Sequence, residues 1–269
     1  MATDTRSALD PRTARASIGL SLANVGRTFA GANGPVVALD DVDLTVAPGE
    51  FVSLVGPSGC GKSTLLRAVA GLDTEYTGEI LADGTPVVGP DLTRGIVFQE
   101  PRLFPWLSLA DNIAFGLRTG KREKDERVRE LIELVGLGGF ESAYAHQLSG
   151  GMAQRAAIAR ALAPSPGVLL LDEPFGALDA FTRMRLQDAL QDIWLASRTT
   201  AILVTHDIEE AIDLGQRVVV MTPRPGRIRR VIDIDLPYPR DRGGERFAAY
   251  RREILAEFDL SHDPSLGQD

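Results

Sequence analysis

The alternation of apolar and polar positions takes on folded character at residue 18. There Ile18, Leu20 and Leu22 alternate with Gly19, Ser21 and Ala23 in the period of a half-buried strand. Residues 31–35, Gly-rich and ending in Pro35, read as a turn. Short apolar runs then recur at 51–55, 95–98, 168–171, 201–205 and 217–221, with helical patterns between them. Runs that are apolar at consecutive positions suit strands buried on both faces, and their alternation with helices predicts an α/β fold on a mainly parallel sheet. Residues 108–163 break this rhythm. Val128, Leu131, Ile132, Leu134 and Val135 share one helical stripe there and strand-like runs are few, which predicts a helical insertion. A closing amphipathic helix is expected over 245–258, with Phe247, Tyr250, Ile254 and Phe258 on its apolar side. Residues 1–17 have no apolar centre of a signal peptide and are expected to form a flexible extension.

Composition narrows the classes. A chain of 269 residues with 44% hydrophobic content can bury a substantial core, which excludes disorder for most of it. Asp and Glu outnumber Lys and Arg by 37 to 29, so no whole-surface attraction to nucleic acid is expected. Cys60 is the only cysteine, which excludes an intrachain disulfide and a CxxC metal site and favours a reducing compartment. The apolar runs fall far short of the roughly 18 residues of a membrane span, so a bilayer-crossing helix is not expected.

The first candidate site follows the run at 51–55. Gly56, Pro57, Ser58, Gly59, Cys60, Gly61, Lys62, Ser63 and Thr64 spell G-x-x-x-x-G-K-[ST], preceded by a strand pattern and followed by the helix pattern Leu65, Leu66, Arg67, Ala68 and Val69. The glycines let consecutive N–H groups turn inward, and the helix that follows presents its positive end to the same place. A polyphosphate is the expected occupant. Lys62 would supply a point charge to the β/γ-phosphates and Ser63 a hydroxyl for Mg²⁺.

Other strands end in polar groups as well. The run at 168–171 stops at Asp172 and Glu173, and adjacent carboxylates after four apolar residues are costly unless a cation awaits them. Asp172 is suited to holding Mg²⁺ through water and Glu173 to polarising the water that attacks a γ-phosphate. The run at 95–98 stops at Gln99, and the run at 201–205 leads to His206. Singly, Gln99 and His206 are ordinary strand-end residues; jointly, they fit the rule that parallel α/β sheets bind ligands beyond the carboxyl ends of their strands. A second anion-binding helix end is expected at Ser149, Gly150 and Gly151, just before a strongly helical stretch. One nucleotide already has its phosphates cradled at 56–64, so this second site makes most sense if it serves the nucleotide held by another copy of the chain.

Taken in order, GPSGCGKST, VFQ, LSGGMAQR, VLLLDEP, GALD and VTHD resemble the ATP-binding subunit of an ABC transporter, over about residues 18–240. The segments Leu103 to Leu107, Asp172 to Arg183 and Pro223 to Ile228 are similar to the nitrate, sulfonate and taurine importer group. The resemblance implies a P-loop NTPase fold with an N-terminal antiparallel β subdomain and an inserted helical subdomain at about 100–163. The ATP-binding domain would cover 18–245, and 246–269 would form a C-terminal helix and tail. It implies ATP and Mg²⁺ as ligands, with Ser63, Gln99 and Asp172 at the metal, Glu173 as general base, and His206 and Gln99 at the γ-phosphate. It also implies a head-to-tail dimer in which Ser149, Gly150 and Gly151 reach the partner's ATP and Asp179 communicates across the interface. Phe29 either stacks on adenine or packs in the core. The implied partners are membrane-spanning permease subunits and, indirectly, an extracytoplasmic solute-binding protein, with the chain peripheral on the cytoplasmic face. Aliphatic sulfonate is the expected solute, with taurine and nitrate as alternatives and a non-import ABC ATPase as a further one. The stretch between Lys62 and Leu148 is too short for the coiled-coil arm of DNA-maintenance relatives, and a single cassette does not suit the two-cassette translation factors.

Overall fold

The computed structural model describes residues 16–32 and 34–259. In chain order the strands are β1 (Leu20–Gly31), β2 (Gly34–Val46), β3 (Phe51–Val55), β4 (Thr77–Ala82), β5 (Thr85–Pro86), β6 (Arg94–Val97), β7 (Val168–Asp172), β8 (Thr200–Val204), β9 (Arg217–Met221) and β10 (Ile228–Asp233). The α-helices are α1 (Lys62–Val69), α2 (Leu109–Ala114), α3 (Lys121–Leu134), α4 (Gly150–Leu162), α5 (Ala180–Ser197), α6 (Ile208–Leu214) and α7 (Glu245–Asp259). The chain divides into two compact units. One is built on residues 90–201 and the other on 19–89 together with the chain from 202 onward.

The second of these units carries an antiparallel sheet in the order β2-β1-β4-β5. Along β1 the alternation buries Leu20 and Leu22, and strict continuation would then bury Asn24 and expose Val25. A bulge between Leu22 and Val25 resets the phase. Asn24 takes the left-handed conformation (φ 51) and donates its amide to Asp41 and its N–H to Asp43, so Val25 returns to the core opposite Val42. The reversal expected at 31–35 is tighter than that, since Gly31 already pairs with Gly34 and Pro35 stands in β2 opposite Ala30.

The same unit holds β10, β9 and β3 and, from residue 202, β8 side by side in that order, with β3 and β9 parallel and β10 antiparallel to β9. All of β3 is buried. Val55, Val218, Val220 and Ile232 form one apolar cluster with Ala211 and Ile212 of α6 and Phe247 and Ile254 of α7, while Tyr250 and Phe258 pack against it. The expected amphipathic spacing of α7 thus faces the sheet. Arg240 finishes α6, donating to the carbonyls of Ile212 and Gly215 while stacking on Tyr238. Burial lowers the pKa of its guanidinium.

In the other unit β6 and β7 run parallel in register from Arg94↔Val168 to Val97↔Leu171. Helices α2, α3 and α4 supply the helical segment. Val128, Leu131, Ile132 and Val135 are buried, with Leu134 at the margin. Helix α4 is apolar nearly all round from Ala156 to Leu162 because small alanines let neighbours approach on several sides. Of the extension expected over 1–17, residues 1–15 lie outside the described residues. Ser17 Oγ donates to Arg198 O at 2.5 Å, and Ile18 N donates to Gly167 O at 3.3 Å.

Candidate phosphate-binding site

The loop 56–64 joins β3 to α1, as its motif requires. Gly61 is the N-cap of α1 with φ 103 and no side-chain cap. A Cβ there would stand 2.6 Å from Leu39 Cδ2 and 2.7 Å from Ala38 O, so both space and backbone conformation demand glycine. The Lys62 side chain curls back under the loop. Its ammonium donates to Gly56 O at 2.7 Å and Pro57 O at 3.0 Å, with Cys60 Sγ at 3.7 Å, and only 6% of the residue is exposed. A buried cation held by two neutral carbonyls and a thiol is suited to exchanging them for an anion. Ser63 and Thr64 open the helix half-buried.

In the same unit, Thr205 N donates to Leu54 O at 3.2 Å, which brings the end of β8 beside the end of β3 where the loop begins. Thr205 is buried and ordered by Glu210, to which its hydroxyl donates at 2.7 Å, and by Asp207, whose N–H donates to that hydroxyl at 3.0 Å. His206 follows, exposed. Phe29 lies on β1 and is 38% exposed, which removes the core alternative. The Arg27 guanidinium covers one face of its ring at 4.3 Å and is itself tied to Asp73 and Glu75. Burial alone would lower the Arg27 pKa, but these two carboxylates more than offset it and the net direction is upward.

In the other unit β7 ends on buried Asp172. Glu173 adopts φ 46, left-handed for a residue with a Cβ, a conformation that costs on the order of 1 kcal/mol. Gln99 Nε2 donates to Glu173 Oε2 at 3.1 Å, so these two expected site residues touch. Ser149 caps α4 by accepting from Met152 N at 3.3 Å, and a Cβ on Gly150 would meet nothing within 4 Å. Asp179 caps α5 by accepting from Thr182 N at 3.1 Å. The Thr182 side chain and then its amide hold the Asp179 carboxyl below its ordinary range.

Sequence reasoning missed several residues that hold these segments. Buried Gln154 of α4 donates to Phe98 O at 3.1 Å, and Arg160 of the same helix donates to Arg102 O at 2.8 Å and Pro101 O at 3.1 Å, so α4 grips the chain on both sides of Gln99. Burial lowers the Arg160 pKa. Wholly buried Asn112 braces residues 104–108. A polar residue on an otherwise apolar helix face was the one available signal for Asn112 and Gln154.

A strand–loop–helix with a buried lysine under a glycine-rich turn, in a parallel α/β setting, defines a P-loop nucleotide-binding domain. Residues 39–176 match the ABC transporter family. The aliphatic sulfonates import ATP-binding protein SsuB of Bacillus subtilis (strain 168) is 53% identical over 84% of this chain and 88% of its own length. SsuB 2 of Burkholderia cenocepacia (strain HI2424), also an aliphatic sulfonates import ATP-binding protein, is 52% identical over 85% of this chain and 84% of its own. A solved dimeric ATP-binding cassette in a post-hydrolysis state bound to ADP and Pi superposes with a TM-score of 0.73 at 34% identity, covering 80% of this chain and 98% of that one. The chain belongs to the ABC transporter family as an ATP-binding domain.

Proposed function

We propose that this chain is the ATP-binding and hydrolysing subunit that energises an aliphatic sulfonate importer. The observation that carries the reading is the loop 56–64 with Lys62 drawn into it, in a chain 53% identical to an aliphatic sulfonates import ATP-binding protein. The loop amides and Lys62 take the β- and γ-phosphates, and the free face of Phe29 stacks on adenine. Ser63, Gln99 and Asp172 would hold Mg²⁺, each through an oxygen of the kind a hard divalent cation accepts. When bound, the cation neutralises charge on the phosphate oxygens. Glu173 is the general base, and its strained backbone together with the Gln99 hydrogen bond supports that role, because left-handed conformations at non-glycine residues persist where position matters. His206 contacts the γ-phosphate.

Ser149, Gly150 and Gly151 serve ATP on a second copy of the chain in a head-to-tail dimer, and Asp179 communicates across it. The open backbone at Gly150 and the dimeric relative support this arrangement. Residues 101–107 receive the permease, with Trp106 (69% exposed) as the apolar anchor. Among the described residues no helix is long and apolar enough to cross a membrane. On this reading the chain is peripheral, at the cytoplasmic face, bound to the permease. The solute is captured by an extracytoplasmic binding protein outside this chain.

The test pairs two variants. Glu173→Gln keeps ATP binding, elutes as a dimer with ATP and Mg²⁺, and loses at least about 100-fold in hydrolysis. Lys62→Ala raises the ATP dissociation constant by more than tenfold. A monomeric Glu173→Gln that hydrolyses at the wild-type rate, or an unchanged Lys62→Ala affinity, refutes the site.

A further inference from the structure

The segment Pro223 to Ile228 joins β9 to β10, in the same unit as the phosphate loop. Its tip is closed on itself. Thr222 Oγ1 donates to Pro225 O at 2.9 Å and accepts from Arg227 N at 3.0 Å, while Thr222 N donates to Arg227 O at 2.9 Å. It is also pinned to β2, because Gly226 N donates to Ala38 O, Asp40 N donates to Gly226 O, each at 3.0 Å, and Arg227 pairs with the Asp40 carboxylate. A Cβ on Gly226 would stand 2.0 Å from Cys60 O, so the tip's backbone lies directly against the phosphate loop. From this fixed position Arg224 donates Nε (3.3 Å) and Nη2 (3.2 Å) to Gly59 O.

Gly59 is the exposed apex of that loop, with φ 77. Its carbonyl and the Cys60 N–H belong to one planar peptide and point in opposite directions. Cys60 N donates to Pro57 O at 3.3 Å, the same carbonyl that accepts from Lys62 Nζ. The Cys60 amide and the Lys62 ammonium therefore face the same interior. Holding the Gly59 carbonyl outward keeps the Cys60 amide inward, and an apex glycine has the freedom to flip that peptide otherwise.

We propose that Arg224 is a positioning residue for nucleotide binding, clamping the Gly59–Cys60 peptide so that its amide faces the incoming phosphates. The inference rests on the loop 56–64 being the nucleotide site. Because Arg224 acts through the loop backbone and not on the attacking water, its loss weakens ATP and ADP alike and spares the chemical step.

The experiment measures ATP and ADP dissociation constants, KM, kcat and thermal midpoint for wild type, Arg224→Ala and Arg224→Lys. Arg224→Ala is expected to raise both dissociation constants and KM about three- to tenfold, the size of one typical net hydrogen bond lost at an exposed site, with kcat within about twofold and the midpoint within about 2 °C. Arg224→Lys, which keeps the charge but not the fork, recovers part of the affinity. Should the alanine variant prove unstable, Arg224→Gln takes its place. Wild-type affinity in the variants beside an ATP-binding wild type overturns the clamp, as does a loss confined to kcat. A wild type that binds neither nucleotide overturns the reading of the site itself.

Discussion

Asn112 offers a quantitative check on how the segment after Gln99 is held. It sits wholly buried in α2, and its carboxamide does for residues 104–108 what a neighbouring strand would do. The side chain accepts from Phe104 N at 2.8 Å and donates to Phe104 O at 3.2 Å, Leu107 O at 3.1 Å and Ser108 O at 3.0 Å. Asn112→Ala removes all four bonds, but their loss is not felt equally. Phe104 O still accepts from Leu107 N at 3.1 Å, and Ser108 O still accepts from the backbone N–H of residue 112 at 2.9 Å. The Phe104 N–H and the Leu107 carbonyl are the groups that give up these partners. Each costs about 1–3 kcal/mol when left dry, and partial access of water brings the expected sum to about 3 kcal/mol. For a chain of this size that is a fall of roughly 6–12 °C in the thermal midpoint. Differential scanning fluorimetry on the purified chain reads it directly. Asn112→Asp, which keeps the acceptor for Phe104 N but loses the donors, should also destabilise. A shift under about 1 °C for Asn112→Ala would refute the claim that this side chain braces the segment.

Two further outcomes follow from the same geometry. Phe104 packs between Phe115 at 4.5 Å and Trp106 at 5.5 Å, and Trp106 itself is mostly exposed. Trp106→Ala should leave the midpoint within about 1 °C, and combined with Phe104→Ala it should abolish co-purification with the permease while ATP affinity holds; undiminished co-purification removes these rings from the interface. Asp179 is held below its ordinary value of 3.8 by Thr182, so its contribution is present above that range and is lost as pH falls through the lowered value. Asp179→Asn, still a helix cap, should therefore flatten the acid unfolding curve below about pH 4, and superimposable curves for variant and wild type would refute the linkage.

The phosphate loop was legible because everything that defines it is contiguous. A buried strand, a glycine-rich turn, a lysine and a helix lie within one stretch of chain, and their local conformational needs suffice to describe it. The position of Glu173 just past the end of β7 was legible in the same way, as an acid following an apolar run. Its left-handed backbone was not, since nothing in a glutamate's own preferences favours φ 46. The helical stripe of α3 and the amphipathic face of α7 could be read from spacing alone, because helix geometry converts sequence intervals directly into faces.

Other features depend on partners distant in sequence. The bulge that returns Val25 to the core exists because Asn24 finds Asp41 and Asp43 on the neighbouring strand, and strict alternation along β1 contains no hint of the phase change. Phe29 could be assigned to core or surface only once its strand was paired and Arg27 was seen to take one ring face. Arg224 lies 165 positions from Gly59, and the parallel pairing of β3 with β9 is what carries the tip of the β9–β10 connection to the phosphate loop. Sequence by itself determined which chemical groups the chain carries and the local conformations that contiguous residues impose. Which carbonyl a distant arginine holds, and which polar side chain braces a loop from inside the core, was decided by tertiary structure, because such contacts arise only when strands and helices far apart in the chain are packed side by side.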